Sequence, residues 1–269
     1  MADLDFLRRH LLGYERVLLG YSGGVDSALL AVVGRQALGP DRFLAVVGRS
    51  ASYPESQWRN AVDLARRYDV PLLEVDTREL ADPRYLRNPP DRCYFCKTEL
   101  WSRLHEVARM RGFVVVIDGT NADDLGDHRP GLRAAGEQRV RSPLAELGWT
   151  KAAVREASRA LGLPTWNAPA APCLSSRVAY GLEITPERLR QVEDGEAFLR
   201  GLGVAGDLRV RHHGERARIE VMPGELERVR GAWDEVDAYF ARLGFAEVEL
   251  DPAGYRRGGL LTLVPLAPR

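Results

Sequence analysis

RVLLGYSGGVDSALLAVVGRQALG, residues 16–39, is the stretch on which the fold turns. Arg16 to Tyr21 reads as a buried strand, Gly23-Gly24 as a turn, and Val25 to Leu38 as a largely apolar helix that stops at Gly39-Pro40. Where a strand hands over to a helix through glycine, the first N–H groups of the helix have no intrahelical partner and the helix dipole adds positive potential. Ser22-Gly23-Gly24-Val25-Asp26-Ser27 is therefore expected to hold an anion. A Walker loop would need Gly-x-x-x-x-Gly-Lys-Ser/Thr, and this turn has neither that length nor the lysine. Instead the Ser22 and Ser27 hydroxyls can donate to phosphate oxygens and Asp26 can hold a magnesium ion. A capped glycine turn would account for Gly23-Gly24 alone, but not for the whole hexapeptide.

Outward from this unit the alternation continues. A strand is predicted at Phe43 to Val47, a helix from Pro54 to Tyr68, a strand at Pro71 to Val75, a helix beginning near Cys93, and a strand at Phe113 to Ile117. Strands separated by helices require parallel crossovers. The expectation is an α/β domain with a doubly wound parallel sheet, its ligands at the carboxyl ends of the strands. Pro164 to Tyr180 has neither helical nor strand period and reads as a linker. Beyond it come a helix from Thr185-Pro186 to about Gly201, strands near Leu208 to His212 and Ala217 to Val221, a helix from Glu225 to Leu243 and a strand at Glu247 to Leu250. The predicted division is residues 1–177 as the α/β domain and 178–269 as a small α+β domain for substrate binding or oligomerisation.

The chain has 269 residues, with 38 Lys plus Arg balancing 38 Asp plus Glu. A neutral total gives no global field to draw in a polyanion, which favours a small-molecule partner over nucleic acid. No apolar run approaches the roughly 20 residues of a membrane span, and Met1 to Tyr14 is charged throughout, so the expected location is cytoplasmic, away from membranes. Three cysteines in a reducing compartment point to chemistry or metal binding more than to a disulfide framework.

Asp118-Gly119-Thr120-Asn121 follows a strand end, and Asp123, Asp124, Asp127 and Arg129 crowd the positions after it. Carboxylates and an arginine there suit magnesium pyrophosphate; a solvated acidic loop is the alternative. Lys151 opens a further helix. Asp91 is placed to cap a helix beginning near Arg92, which sets Cys93 and Cys96 three apart on one face at a helix N-terminus, where thiolate is favoured. Cys173 lies in the linker. Three thiolates are one short of a closed zinc site, and no histidine is suitably spaced; a [4Fe-4S] cluster held by three cysteines leaves one iron open. Buried cysteines acting as small hydrophobes are the alternative.

The hexapeptide Ser22 to Ser27 resembles the signature of the PP-loop ATP pyrophosphatases. That resemblance implies cleavage of ATP to AMP and pyrophosphate. It also implies adenine near Val46 to Arg49, including Val47, a nucleotide site that takes in Gly119, Asp124 and Lys151, and pyrophosphate with magnesium at Asp26, Asp127 and Arg129. With Cys93-Tyr94-Phe95-Cys96-Lys97, Asp118 to Asn121, Arg129-Pro130-Gly131 and Cys173-Leu174-Ser175-Ser176-Arg177 added, the chain resembles the ATP-dependent sulfur transferases of the LarE family over almost its whole length. In that family the carboxylates of pyridinium-3,5-biscarboxylic acid mononucleotide are adenylated and converted to thiocarboxylates on the way to the nickel-pincer cofactor. Carried over, this implies ATP and Mg2+, a substrate-phosphate site at Ser176, Arg177, Arg209 and Arg211, an acidic site at Glu196 and Glu220, and a homo-oligomer. Arg209 and Arg211 alternate on one strand and so project to one face, as a phosphate clamp requires. Having Cys93, Cys96 and Cys173 together, the chain resembles the members that carry a [4Fe-4S] cluster, not those that sacrifice one cysteine.

Two alternatives remain at the level of sequence. A PP-loop tRNA thiolation enzyme also combines this loop with cluster cysteines, but should show a basic face. A non-catalytic nucleotide-binding protein would use the cysteines for a structural metal.

Overall fold

The computed structural model describes residues 3–126, 130–169 and 171–256. In chain order its elements are α1 (Leu4–Leu12), β1 (Val17–Gly20), α2 (Val25–Leu38), β2 (Phe43–Arg49), α3 (Glu55–Arg67), β3 (Leu72–Asp76), α4 (Pro83–Leu86), α5 (Arg92–Arg111), β4 (Val115–Ile117), α6 (Pro130–Glu137), α7 (Pro143–Glu146), α8 (Lys151–Ala160), α9 (Pro186–Gly201), β5 (Leu208–His213), β6 (Arg216–Val221), α10 (Leu226–Gly231), α11 (Trp233–Arg242) and β7 (Glu247–Leu250). The chain divides into two compact units. The first comprises residues up to Glu79 together with Asp91–Ala171, and the second comprises Leu80–Pro90 and the residues from Pro172 onward.

In the first unit four parallel strands lie in the order β3-β2-β1-β4. Alternate strand residues serve opposite faces. Val17 and Leu19 of β1 join Phe43 and Ala45 of β2 in a core with α1, α2 and α8. Leu18, Leu44 and Val46 pack on the other side with Trp101, Leu104 and Val107 of α5 and Ala134 of α6. Helices on both faces make the sheet doubly wound, and burial on both faces explains why β1 reads as an uninterrupted apolar run. The chain runs outward from β1 to β2 and β3, then returns to place β4 on the other side of β1, so the strand order reverses between β1 and β4. Parallel α/β sheets bind their ligands at such a reversal.

The second unit has a three-stranded sheet, order β5-β6-β7, with an antiparallel β5/β6 hairpin and β7 parallel to β6. Leu208, Val210, Ile219 and Val221 face a core with Leu199 of α9, Val229 of α10 and Val236 and Phe240 of α11. The segment 80–90 is tied into this unit. Asn88, fully buried, donates through Nδ2 to the carbonyls of Val178, Ala179 and Leu182, while Tyr85 and Ser175 share a buried hydroxyl pair. Among the described residues no helix is long and apolar enough to cross a membrane.

Three local expectations are corrected. The single helix predicted from Glu225 to Leu243 is two helices. Gly231 ends α10, and Ala232, at φ −109°, ψ 19°, serves at once as its C-cap and as the N-cap of α11; glycine weakens a helix interior enough to permit the break. Asp91 stands at the N-cap of α5, but its side chain makes no capping bond, and it is its carbonyl that accepts from Tyr94 N at 2.8 Å. Phe113 precedes β4, which starts at Val115.

Candidate active site

The phosphate loop joins β1 to α2 in the first unit. Gly23 takes φ +66°, a conformation that side chains resist, and a Cβ there would stand 2.7 Å from the Cβ of Ala61. Ser27 Oγ donates to the carbonyl of Gly24 at 3.1 Å, accepts from Ser22 N at 3.3 Å, and lies 3.2 Å from Ser22 Oγ. The loop is thus closed upon its own hydroxyls, and the start of α2, capped by Gly24 without a side-chain bond, is left to whatever sits in front of it.

From the far side of the reversal point, β4 brings Gly119 against the loop. A Cβ there would stand 3.0 Å from Ser27 N, tight enough that this approach favours glycine. Asp118 accepts from Thr120 N, Thr120 Oγ1 and Ser142 Oγ at 3.0, 2.8 and 2.7 Å, which fixes the turn after β4. Asp26, in the first turn of α2, is the junction of the site. Its Oδ1 accepts from Asn121 Nδ2 at 3.1 Å, and its Oδ2 is in contact with Lys151 Nζ. Lys151 reaches there from the first residue of α8, whose N-cap Thr150 accepts from Ala153 N. One carboxylate with lone pairs to spare, beside an anion site, suits magnesium, which takes few protein ligands and completes its shell from phosphates and water.

Asp123 Oδ2 accepts from Lys151 N at 2.8 Å, and Asp124 Oδ2 accepts from Asn121 N at 3.1 Å, so both carboxylates shape the turn. Asp127 and Arg129 lie outside the described residues. Val47 is buried, so any contact it makes with adenine is through its main chain. Asn121, which closes the motif after β4, gains from its bond to Asp26 a role in the site that its position after a strand end is consistent with.

Cys93 is exposed and Cys96 half-buried in the first turn of α5. Three residues apart, they share a helix face, and two thiolates on one face suit a sulfur-ligated metal group. Cys173, half-buried, heads a short 3-10 turn, Leu174–Arg177, in the second unit. Among the described residues no group of three or more His, Cys, Asp or Glu side chains is gathered for a metal ion.

In the second unit Arg209 and Arg211 of β5 and Glu220 of β6 alternate with the strand residues that face its core, and Glu196 of α9 and Arg177 are bonded to one another. Arg211 donates through Nε and Nη2 to Glu220 Oε2 at 2.9 and 2.8 Å, and Arg218 Nη2 reaches Glu220 Oε1 at 3.2 Å. Glu220 is only 2% exposed, so it is a buried carboxylate and not a solvated surface charge. Arg177 grips Glu196 with two bonds, 2.9 and 3.1 Å, and Glu196 Oε1 also accepts from Val210 N. Ser176 Oγ donates to the carbonyl of Cys173 at 2.7 Å, as does Arg177 Nη1 at 3.0 Å, so this arginine fixes the cysteine turn. Arg211 Nη1 donates to the carbonyl of Ser176. Arg209 is buried under the ring of Tyr255, its guanidinium 5.0 Å from the centroid, and desolvation, with Arg177 nearby, lowers its pKa. A buried cation in this state gains from an anion set against it.

A parallel sheet with a Ser-Gly-Gly-Val-Asp-Ser anion loop at its reversal point, its aspartate held by an asparagine and a lysine, defines a PP-loop ATP-using enzyme. The NAD synthase family model matches residues 3–110. The pyridinium-3,5-bisthiocarboxylic acid mononucleotide synthase of Lactiplantibacillus plantarum is 35% identical over 91% of this chain and 88% of its own. An uncharacterized protein of Synechocystis, slr1717, is 43% identical over 96% and 97%, and one of Methanocaldococcus jannaschii, MJ0830, is 31% identical over 90% and 91%. The chain belongs to the family of the Lactiplantibacillus enzyme, the LarE family.

Proposed function

We propose that this protein is an ATP-dependent sulfurtransferase that converts the carboxylates of pyridinium-3,5-biscarboxylic acid mononucleotide to thiocarboxylates. The observation that carries this reading is Asp26, held between Asn121 and Lys151 beside the Ser22–Ser27 loop, in a chain with family resemblance along nine-tenths of its length.

ATP phosphates lie against the start of α2, and the Ser22 and Ser27 hydroxyls become added donors by exchanging their bonds within the loop for phosphate oxygens. Asp26 would hold Mg2+, which neutralises charge on the leaving pyrophosphate. Lys151 then has a phosphate oxygen as an alternative to Asp26. A substrate carboxylate oxygen attacks the α-phosphorus and the bond to the β-phosphate oxygen breaks, giving an acyl adenylate and pyrophosphate. A sulfur nucleophile then adds to the acyl carbon, and AMP departs with the original oxygen. Arg209 and Arg211, together with Ser176 and Arg177, provide the positive face for the substrate's own phosphate, while Glu196 orients Arg177 and Glu220 orients Arg211. Cys93, Cys96 and Cys173 are the proposed ligands of a [4Fe-4S] cluster, which when bound supplies sulfide at an iron without a cysteine ligand. A cytoplasmic homo-oligomer, assembled through the small unit, completes the proposal.

The test is anaerobic reconstitution with iron and sulfide, then incubation with magnesium ATP and the biscarboxylate mononucleotide, following pyrophosphate and product mass together. Pyrophosphate and thiocarboxylate in step are expected. ATP binding without pyrophosphate release to this acceptor would overturn the assignment.

A further inference from the structure

Two donors from one stretch of chain converge on a single main-chain acceptor in the phosphate loop. Tyr53 Oη donates to the carbonyl of Ser22 at 3.0 Å, and Gln57 Nε2 donates to the same oxygen at 2.8 Å. A carbonyl oxygen has two lone pairs, and this one has both filled. Because the acceptor is a carbonyl, the Gln57 atom facing it is the amide nitrogen, and its Oε1 is left buried with no partner. That orphan acceptor is a cost borne to place the donor.

The peptide plane explains what the arrangement achieves. The Ser22–Gly23 peptide is planar and trans, so a carbonyl drawn toward Tyr53 and Gln57 turns the N–H of Gly23 the opposite way. Gly23, at φ +66° and without a Cβ, offers little steric resistance to rotation of that peptide. Rotated, the loop would present a carbonyl oxygen where an anion needs a donor. A glycine that makes the turn possible thus also makes it reversible, and something else has to hold it.

Tyr53 is itself held. It closes the loop after β2, in which Ser50 and Ser52 both donate to Oε1 of Glu79, a carboxylate 2% exposed, and Thr77 N and Oγ1 both reach the carbonyl of Arg49. On the other side Tyr21 Oη donates to the carbonyl of Ala61, fastening α3 beside the loop. Burial pushes the Tyr53 phenol well above its ordinary pKa, so the hydroxyl stays protonated and keeps donating. Both donors are neutral. An arginine or lysine in their place would itself bind the phosphates, and a carboxylate would repel them.

We propose that Tyr53 and Gln57 are positioning residues that lock the Ser22–Gly23 peptide with its N–H toward the nucleotide phosphates, touching neither the phosphates nor the reacting atoms. This rests on the reading of Ser22–Ser27 as the ATP site.

The test compares Tyr53→Phe, Gln57→Leu and the double variant in calorimetric titrations with magnesium ATP and with inorganic pyrophosphate, beside thermal melts and steady-state rates. Since either donor alone holds the carbonyl, each single variant is expected to weaken both probes about twofold and the double variant about tenfold, the range of one to two neutral hydrogen bonds. KM for ATP should rise in the same proportion as the affinity falls, with kcat changing by less than about threefold. A double variant that binds both probes like the wild type overturns the lock. So does weakening confined to ATP, which would put the pair at the nucleoside, or weakening that only follows a fall in melting temperature. Wild-type protein that binds neither probe overturns the ATP reading, and the lock with it.

Discussion

At the end of β1 the groups offered to an anion are main-chain N–H groups and two serine hydroxyls, whereas on the small sheet they are the guanidiniums of Arg177, Arg209 and Arg211. The first set needs no counter-charge in the empty protein, because peptide dipoles are neutral overall. The second set is buried, and two of its three arginines are paired with Glu196 and Glu220 at 2.8–3.1 Å. A site made from backbone can lose a neighbouring charge with little effect on stability. One made from buried charge serves binding and folding at once, since removing one partner strands the other in a poorly solvating interior.

The strongest challenge to that contrast is Glu220→Ala, which leaves Arg211 and Arg218 without their buried carboxylate. Urea denaturation should show a loss of about 3–5 kcal/mol, and a loss below about 1 kcal/mol would mean that the pair is effectively surface-like. Asp26→Asn probes the other region. Pyrophosphate release should fall on the order of 10²-fold, the size seen when one electrostatic group is removed from a transfer site, while stability shifts by under about 1 kcal/mol because the Lys151 pair is partly exposed. Equal damage to stability would erase the distinction. Gly23→Ala asks whether the backbone site is as tolerant as its lack of charge implies. The added methyl meets Ala61 at 2.7 Å in a strained φ, and about 2 kcal/mol of stability should go together with ATP affinity.

The smallest effect concerns pH. Burial lowers the pKa of His212 from 6.5 to about 4 in the folded protein. Between those values the unfolded chain binds the extra proton, so stability rises with pH and falls on acidification. From pH 6.5 to 5.5 the loss should be about 1 kcal/mol. His212→Asn, compared by denaturation at both pH values, should remove that increment; an unchanged slope would assign it elsewhere.

Much of the first unit was legible because its signals are local. The β1 loop lies within six consecutive residues, and strands buried on both faces show as apolar runs. What escaped the sequence is mostly long-range. Tyr53 and Gln57 act on a carbonyl 31 and 35 residues away, and Glu220 looks like a surface charge until β5 and Arg218 close over it. Asp123 and Asp124 have a second role besides the one their acidity suggests, each accepting from a main-chain N–H, that of Lys151 and that of Asn121, as short carboxylates readily do. The helix α1 has a sequence signal of its own, with Asp3 at its N-cap and Leu7 and Leu11 four apart toward the core, but its many charges dilute the apolar period.

Residues 80–90 carry a consequence for how the chain is made. Asn88 and the carbonyl of Val178 that it serves are 90 residues apart, as are Tyr85 and Ser175. On a ribosome adding roughly 5–20 residues per second, that segment emerges on the order of ten seconds before its partners. For that interval Tyr85 has no pocket and Asn88 no carbonyls, in a stretch that interrupts the first unit between β3 and α5. Synthesis rate through Pro143 to Ser175 should therefore affect the yield of native protein more than an equal delay after Phe245, when Ser175 and the carbonyls of Val178, Ala179 and Leu182 are already present.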